Sequence, residues 1–207
     1  MKWTIIIVFI LLLVVTSFQI KAQTVLESTV TNEAFIMETW WTKSIDKEYK
    51  FVLFNLNTAE YNFDLKEIIF MSYSILNMDL FKGFGLVVGT RILKDRVVGL
   101  GGLQYTYFRE EIFITTNFTS EFRENPDFEF FSLIQYKPQI TEKIKGFIQG
   151  QFSFNFNSDT HIFSFQQLRL GADLGLIQTG LAINQFQFEQ DWLYNIQPGF
   201  FLRLEFK

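Results

Sequence analysis

The sequence contains no cysteine, a single histidine and only three prolines in 207 residues. The lack of cysteine excludes disulfides, thiolate metal sites and a lipid anchor on a cysteine. Basic residues are also scarce, with 18 Lys and Arg against 22 Asp and Glu, so the formal net charge is −4. Nothing therefore supplies a basic face for phosphates, and we exclude nucleic acid as a partner. With no His/Cys ligand set, we also expect no metal and no cofactor.

Long apolar runs are absent after residue 22, and the one earlier run is short. Lys2 precedes an apolar stretch from Ile5 to Val15, and a small residue, Ala22, follows it. A spanning helix needs about 20 apolar residues, so this pattern predicts a signal peptide over residues 1–22, cleaved after Ala22. A chain that spans a membrane without later apolar helices must cross it as strands.

Phenylalanine is abundant, with 27 residues, and it favours a membrane barrel whose outer wall carries aromatic girdles. Eleven runs are typical of strands: 34–42, 48–56, 67–76, 83–93, 96–107, 111–120, 127–137, 143–156, 160–171, 175–188 and 194–206. Residues 23–33 form a lead-in or a short first strand. We predict an all-β, antiparallel up-and-down transmembrane barrel over residues 34–207. Bacterial barrels normally have an even number of strands, so we count residues 23–33 as a twelfth strand and predict 12 strands, with 10 as the alternative.

The last strand shows the clearest alternation. Ile196, Pro198, Phe200, Leu202, Leu204 and Phe206 share one face, and polar residues share the other, apart from Phe201. A soluble β-sandwich also alternates, but strand length and phenylalanine content favour the barrel. The same parity predicts a polar lumen that includes Lys145, Gln149, Gln151, Arg169, Arg203 and Glu205. In the strand from Leu176 the parity slips between Ile183 and Phe186, which predicts a bulge.

Strand order predicts sidedness. If the last strand ends in the periplasm, the longest connections, 57–66 and 121–126, face outward, as such barrels prefer. The segment Phe200–Phe206 resembles the C-terminal signal that outer-membrane barrels present to their assembly machinery. Residues 40–47, 168–171 and 184–186 resemble an uncharacterised family of small bacterial outer-membrane barrels, a domain of unknown function. The resemblance implies this fold, the outer membrane as location, and outer-membrane lipids, lipopolysaccharide and the assembly machinery as partners.

We consider three groups of residues as possible sites of chemistry. His161 lies near Ser158, Asp159 and Ser164, residue types that a lipid hydrolase would combine on a barrel's outer face; a solvated loop histidine is the simpler interpretation. An acidic loop of Glu121, Glu124, Asp127 and Glu129 offers oxygen ligands for Ca²⁺ but matches no calcium-loop spacing. Gly83, Gly85 and Gly89 fall inside a predicted strand, where a nucleotide loop is not expected.

The sequence predicts no catalytic residue. We expect a non-enzymatic barrel, either structural or a porin-like passage for small solutes, because 10 to 12 strands leave a narrow cavity. The alternatives are an outer-leaflet lipid-modifying enzyme and a surface-binding barrel acting through its outer loops.

Overall fold

The computed structural model describes residues 23–188 and 193–206, which form one closed antiparallel barrel of twelve strands. Each strand pairs with the next, and the first pairs with the last. The predicted 12-strand barrel is confirmed, and the alternative of 10 strands is wrong because residues 23–31 close the barrel. The strands are β1 Gln23–Thr31, β2 Ala34–Ser44, β3 Phe51–Asn62, β4 Ile68–Phe81, β5 Phe84–Ile92, β6 Val97–Phe108, β7 Ile112–Glu121, β8 Phe128–Tyr136, β9 Lys145–Phe156, β10 His161–Asp173, β11 Ile177–Phe188 and β12 Leu193–Phe206.

The predicted signal peptide, residues 1–22, lies outside the described residues. Among the residues that the structure describes, no helix is long and apolar enough to cross a membrane.

The two-residue period of the strands separates an apolar outer wall from a buried interior. In β12, Phe200 and Leu202 are 69% and 51% exposed, whereas their neighbours Phe201 and Arg203 are 2% and 1% exposed. Outward-facing rings of β7, β8 and β9 form part of an aromatic belt, with Phe128 5.7 Å from Phe156 and 6.1 Å from Phe118 between ring centroids. Successive side chains point to opposite faces of a strand, so one alternating sequence supplies both walls.

The two ends of the barrel carry different connections. We call the end where Gln23 and Phe206 lie the terminal end; it carries the connections 45–50, 82–83, 109–111, 137–144 and 174–176. The opposite end carries 32–33, 63–67, 93–96, 122–127 and 157–160. The predicted loop 57–66 is wrong in extent, because β3 continues to Asn62. The longest described connection, 137–144, lies at the terminal end, so connection length no longer supports the predicted sidedness.

The bulge predicted between Ile183 and Phe186 is wrong. The register of β11 with β10 is continuous from Gln178 to Phe188. The apolar parity slips because Phe186 lies on the inward face, directly opposite Phe165 of β10. An aromatic cluster inside the barrel, rather than an extra residue in the strand, therefore explains the pattern.

Inward-facing glycines let neighbouring strands approach closely. A Cβ atom added to Gly85 would lie 2.1 Å from the carbonyl oxygen of Met78, and one added to Gly102 would lie 1.9 Å from that of Phe118. Both glycines lie within strands, as expected for a curved barrel wall. Gly83 lies in the two-residue turn between β4 and β5 with φ +89°, a value that favours glycine.

Candidate functional site

A buried ion-pair cluster fills one side of the barrel interior. Glu27 of β1 accepts hydrogen bonds from Arg169 Nε at 2.8 Å and from Arg203 Nε at 2.7 Å. Arg169 Nη1 donates to Asn184 Oδ1 at 2.8 Å, and Arg203 Nη1 donates to Gln149 Oε1 at 2.7 Å. We call these five residues the Glu27 network. Because the Glu27 carboxylate bridges β1 to β10 and β12, the network joins the strands at which the barrel closes.

A second polar layer lies nearer the terminal end. Lys137 Nζ lies 2.5 Å from Glu205 Oε2 and 3.3 Å from Asp173 Oδ2. Gln178 donates to the same Glu205 oxygen at 2.6 Å. Phe147 and Phe201, the aromatic exceptions to polar parity, pack at 5.5 Å between centroids, and the Arg203 guanidinium lies 4.9 Å from the Phe147 ring. Phe147 therefore presents its ring to a buried cation, and Phe201 packs against Phe147.

The other side of the interior is apolar. A cluster that we call the apolar wall comprises Leu56, Tyr73, Ile75, Val87 and Leu100. Trp40 and Phe54 pack against it from β2 and β3, with their ring centroids 6.3 Å apart. The interior is therefore polar on one side and apolar on the other, and the unfilled space lies on the apolar side.

Two cavities lie along the apolar wall. The large cavity, of about 940 Å³, reaches the terminal end, where Asp46, Lys50 and Gly83 line it. The small cavity, of about 190 Å³, lies toward the opposite end, where Arg96 and Asp127 line it. Leu56 and Phe131 line both cavities. These two side chains therefore form part of the wall between them.

The mouth of the large cavity has balanced charge. Its charged lining residues are Asp46, Lys47, Lys50 and Asp79. Asp46 accepts the backbone N–H of Phe51 at 2.8 Å and that of Lys50 at 3.1 Å, and these hydrogen bonds lower the pKa of its carboxyl group. The carboxylate therefore stays ionised and holds the β2–β3 turn in shape.

The small cavity combines an aromatic side with an ion-paired side. Phe163 and Phe165 of β10 line it, and Phe163 contacts Phe188 at 5.3 Å between centroids. Across from them, Arg91 lies 3.3 Å from both Glu121 and Glu129, with one guanidinium nitrogen toward each. The cavity thus offers apolar surface beside groups whose charges are already paired.

The acidic loop that sequence suggested as a cation site is neutralised by arginines. Arg123 lies 2.6 Å from both Glu121 and Asp127, and Glu129 pairs with Arg91. Glu124 is exposed and takes no part in these pairs. Across the described residues, no group of three or more His, Cys, Asp or Glu side chains is placed to hold a metal ion.

His161 contacts Ser164 rather than Ser158. The His161 Nε2 and Ser164 Oγ atoms lie 2.6 Å apart, whereas Ser158 donates to its neighbour Asp159 at 3.2 Å. Ser164 lies opposite Phe154 on β9, and Phe154 lies opposite the exposed Phe130 on β8, so the serine belongs to the outward face. Ser164 itself is fully covered by its neighbours.

The lumen-facing residues that sequence suggested lie as follows. Gln149, Gln151, Arg169, Arg203 and Glu205 are buried inside the barrel, and Lys145 is half-buried opposite Asp173. Sequence reasoning missed Glu27, Lys137 and Asp173, which complete the ion pairs. The sequence signal for Glu27 was an acidic residue on one face of residues 24–31, but this run is too short to be interpreted alone.

No family model and no curated protein matches the chain. Solved structures do match it. A membrane protein from a study of in-meso crystallization aligns over 89% of this chain and 83% of its own, with TM-score 0.52 and 8% identity. LpxR from Salmonella typhimurium aligns over 89% and 100%, with TM-score 0.48 and 7% identity. A bacterial polysaccharide outer membrane secretin aligns over 90% and 98%, with TM-score 0.34 and 9% identity. The chain has the fold of an outer-membrane β-barrel, and no match names the particular family that the sequence resembles.

The prediction that the protein is not an enzyme is wrong, because a barrel fold does not exclude enzymatic activity. The barrel architecture by itself leaves enzymatic activity open.

Proposed function

We propose that the protein is a narrow outer-membrane channel for small solutes, with the terminal end facing the periplasm and lipid and lipopolysaccharide around the outer wall. The observation that carries this proposal is the pair of cavities, one toward each end, that share Leu56 and Phe131 as lining residues. A solute that crosses from one cavity to the other needs these side chains to move aside.

The division of the interior supports this path. The Glu27 network occupies one side of the interior with paired charges, and its carboxylate joins β1 to β10 and β12. The apolar wall borders both cavities, through Leu56 and Tyr73 at the small one and through Leu56 and Ile75 at the large one. The charged side chains of Arg91, Glu121 and Glu129 in the small cavity are paired with one another. The side chains of a 12-strand barrel need not fill its interior, so a narrow passage is compatible with this strand number.

We expect the double substitution Leu56→Ala, Phe131→Ala to raise single-channel conductance several-fold. Removing both side chains widens the constriction, whereas the native protein should give small, intermittent openings. Planar-bilayer recordings of the purified barrel measure both. Because truncating buried side chains costs about 2–5 kcal/mol each, heat-modifiability gels must first show a folded barrel, and Leu56→Ala alone serves if the double variant fails.

The matched control is Leu53→Ala, Phe130→Ala. These residues lie on the same two strands but on the outward face, and Phe130 is 39% exposed. The control should leave conductance at the native level. If the native and the widened barrels are both silent, the channel proposal fails.

A second candidate function rests on the 2.6 Å contact between His161 and Ser164. It is hydrolysis of a lipid ester at the outward face. Ser164 Oγ would attack the ester carbonyl and pass its proton to His161 Nε2, which returns it to the leaving alcohol; water then releases the acyl group from the serine. The covered position of Ser164 means that a lipid must displace a neighbouring side chain to reach it.

For this candidate, fatty acid released from phospholipid or lipopolysaccharide in detergent is the readout. His161→Ala and Ser164→Ala should each lower turnover by roughly 10²–10⁴-fold, the usual contribution of general-base catalysis. Ser158→Ala, which removes a serine outside the contact, should leave turnover unchanged. An inactive native barrel, or turnover that survives His161→Ala, eliminates the candidate.

A further inference from the structure

The large cavity is lined by uncharged side chains away from its mouth. Both acidic and both basic lining residues belong to the terminal-end rim described above, and the deeper lining consists of amides, hydroxyls and apolar groups. A buried site of this kind cannot compensate the desolvation of an ionic ligand. The cavity therefore favours a neutral occupant.

Four amide side chains in the lining have a buried polar atom without a hydrogen-bond partner among the described residues. These atoms are the amide oxygens of Asn77, Gln104 and Asn117 and the amide nitrogen of Gln151. Gln104, Asn117 and Gln151 are only 7%, 4% and 5% exposed. A buried polar atom left unpaired costs free energy, so these amides indicate an occupant that offers hydrogen bonds to them.

Strand register brings the amides together. Gln104 lies directly opposite Asn117, which lies directly opposite Phe131, while Gln151 lies opposite Leu133 on the adjoining strands. A hydroxyl group both donates and accepts, so it satisfies an amide in either orientation. A carboxylate or phosphate offers no donor to the amide oxygens. Several hydroxyls on one small molecule match this arrangement.

Aromatic rings face the same cavity. Trp40 and Phe54 line one side, and Phe108 and Phe113 line the rim, with 6.4 Å between their centroids. Rings beside amides suit a molecule with hydroxyls at its edge and C–H groups on its face. The volume of about 940 Å³ falls within the range of small-molecule sites.

We infer that the large cavity binds a small neutral saccharide, held by Gln104, Asn117 and Gln151 and stacked on the neighbouring rings. This inference rests on the proposed function by naming the solute class, but binding at the cavity does not require passage through it. The two proposals therefore fail separately: conductance tests the passage, and equilibrium binding tests the ligand.

The test is isothermal titration calorimetry on the full barrel in an amine-oxide detergent, which carries no sugar headgroup. Glucose and maltose are the probes, and glucuronate and glucosamine are the matched anionic and cationic controls. We expect the neutral sugars to bind and both charged analogues to bind at least about tenfold more weakly. Binding of no sugar means that water alone fills the cavity and overturns the inference, as does equal binding of glucuronate.

Gln104→Leu and Asn117→Leu separate a binding role from a structural one. Each removes an amide that has an unpartnered oxygen and keeps similar volume, so the melting temperature of the barrel should change little. Affinity for the neutral sugars should fall about tenfold or more. Gln187→Leu removes an outward-facing amide on β11. It should change neither the affinity for the neutral sugars nor the weaker affinity for glucuronate and glucosamine. Unchanged affinity in Gln104→Leu and Asn117→Leu overturns the inference.

Discussion

The Glu27→Ala variant is expected to fail to reach the folded, heat-modifiable form, or to unfold at much lower urea concentration. The substitution leaves Arg169 and Arg203 buried, at 0% and 1% exposure, without their shared carboxylate. Removing one partner of a buried ion pair costs about 3–5 kcal/mol, a large share of the roughly 5–15 kcal/mol that stabilises a typical protein. Urea unfolding of the refolded barrel in vesicles measures the loss.

An exposed ion pair provides the control for this experiment. Glu67 and Lys94 lie 3.5 Å apart with their side chains 55% and 69% exposed. Pairs of this kind contribute about 0–1 kcal/mol, so Glu67→Ala should leave the urea midpoint almost unchanged. If Glu27→Ala shares the native midpoint, the Glu27 network does not hold the barrel closed.

The second large effect is expected for Leu202→Lys. Leu202 faces outward and is 51% exposed, so the substitution places an ammonium group against lipid. Lysine on the lipid face of a barrel costs about 2–4 kcal/mol near the midplane. Assembly, measured by the fraction of heat-modifiable protein after refolding into vesicles, should fall sharply, and Phe152→Lys should behave similarly.

Gln151→Lys is the matched comparison for the facing of the wall. Gln151 neighbours Phe152 on β9 but points into the large cavity, which has space for a longer side chain. Assembly of this variant should fall much less than that of Leu202→Lys, because the ammonium group enters a cavity that reaches the terminal end instead of facing lipid. Equal assembly of Leu202→Lys and Gln151→Lys would show that the two walls are not distinguished by their environment.

Periodicity predicts most of this fold because one wall contacts lipid and the other does not. The final strand alternates cleanly, so its facing is evident from sequence. Where the interior itself is aromatic, the same rule misleads: Phe186 faces inward beside Phe163, with 6.2 Å between centroids, and the pattern resembles a bulge. A residue's parity reports its facing only when the two walls differ in polarity.

The candidate site depended on contacts that sequence does not show. Leu56 and Phe131 come together only through barrel closure, and each is an ordinary apolar residue in its own strand. Glu27 occupies a short run whose neighbours gave no hint of two arginines from β10 and β12. In contrast, His161 and Ser164 are three residues apart, so their contact was within reach of sequence reasoning.

The Glu27 network also bears on the kinetics of the barrel. Glu27 is separated from Arg169 by 142 residues and from Arg203 by 176 residues along the chain. Contacts this distant form only after the intervening hairpins have paired, because closing so long a loop costs entropy before any contact repays it. Interactions absent from the folding transition state slow unfolding without speeding folding. The network therefore extends the lifetime of the closed barrel rather than hastening its formation.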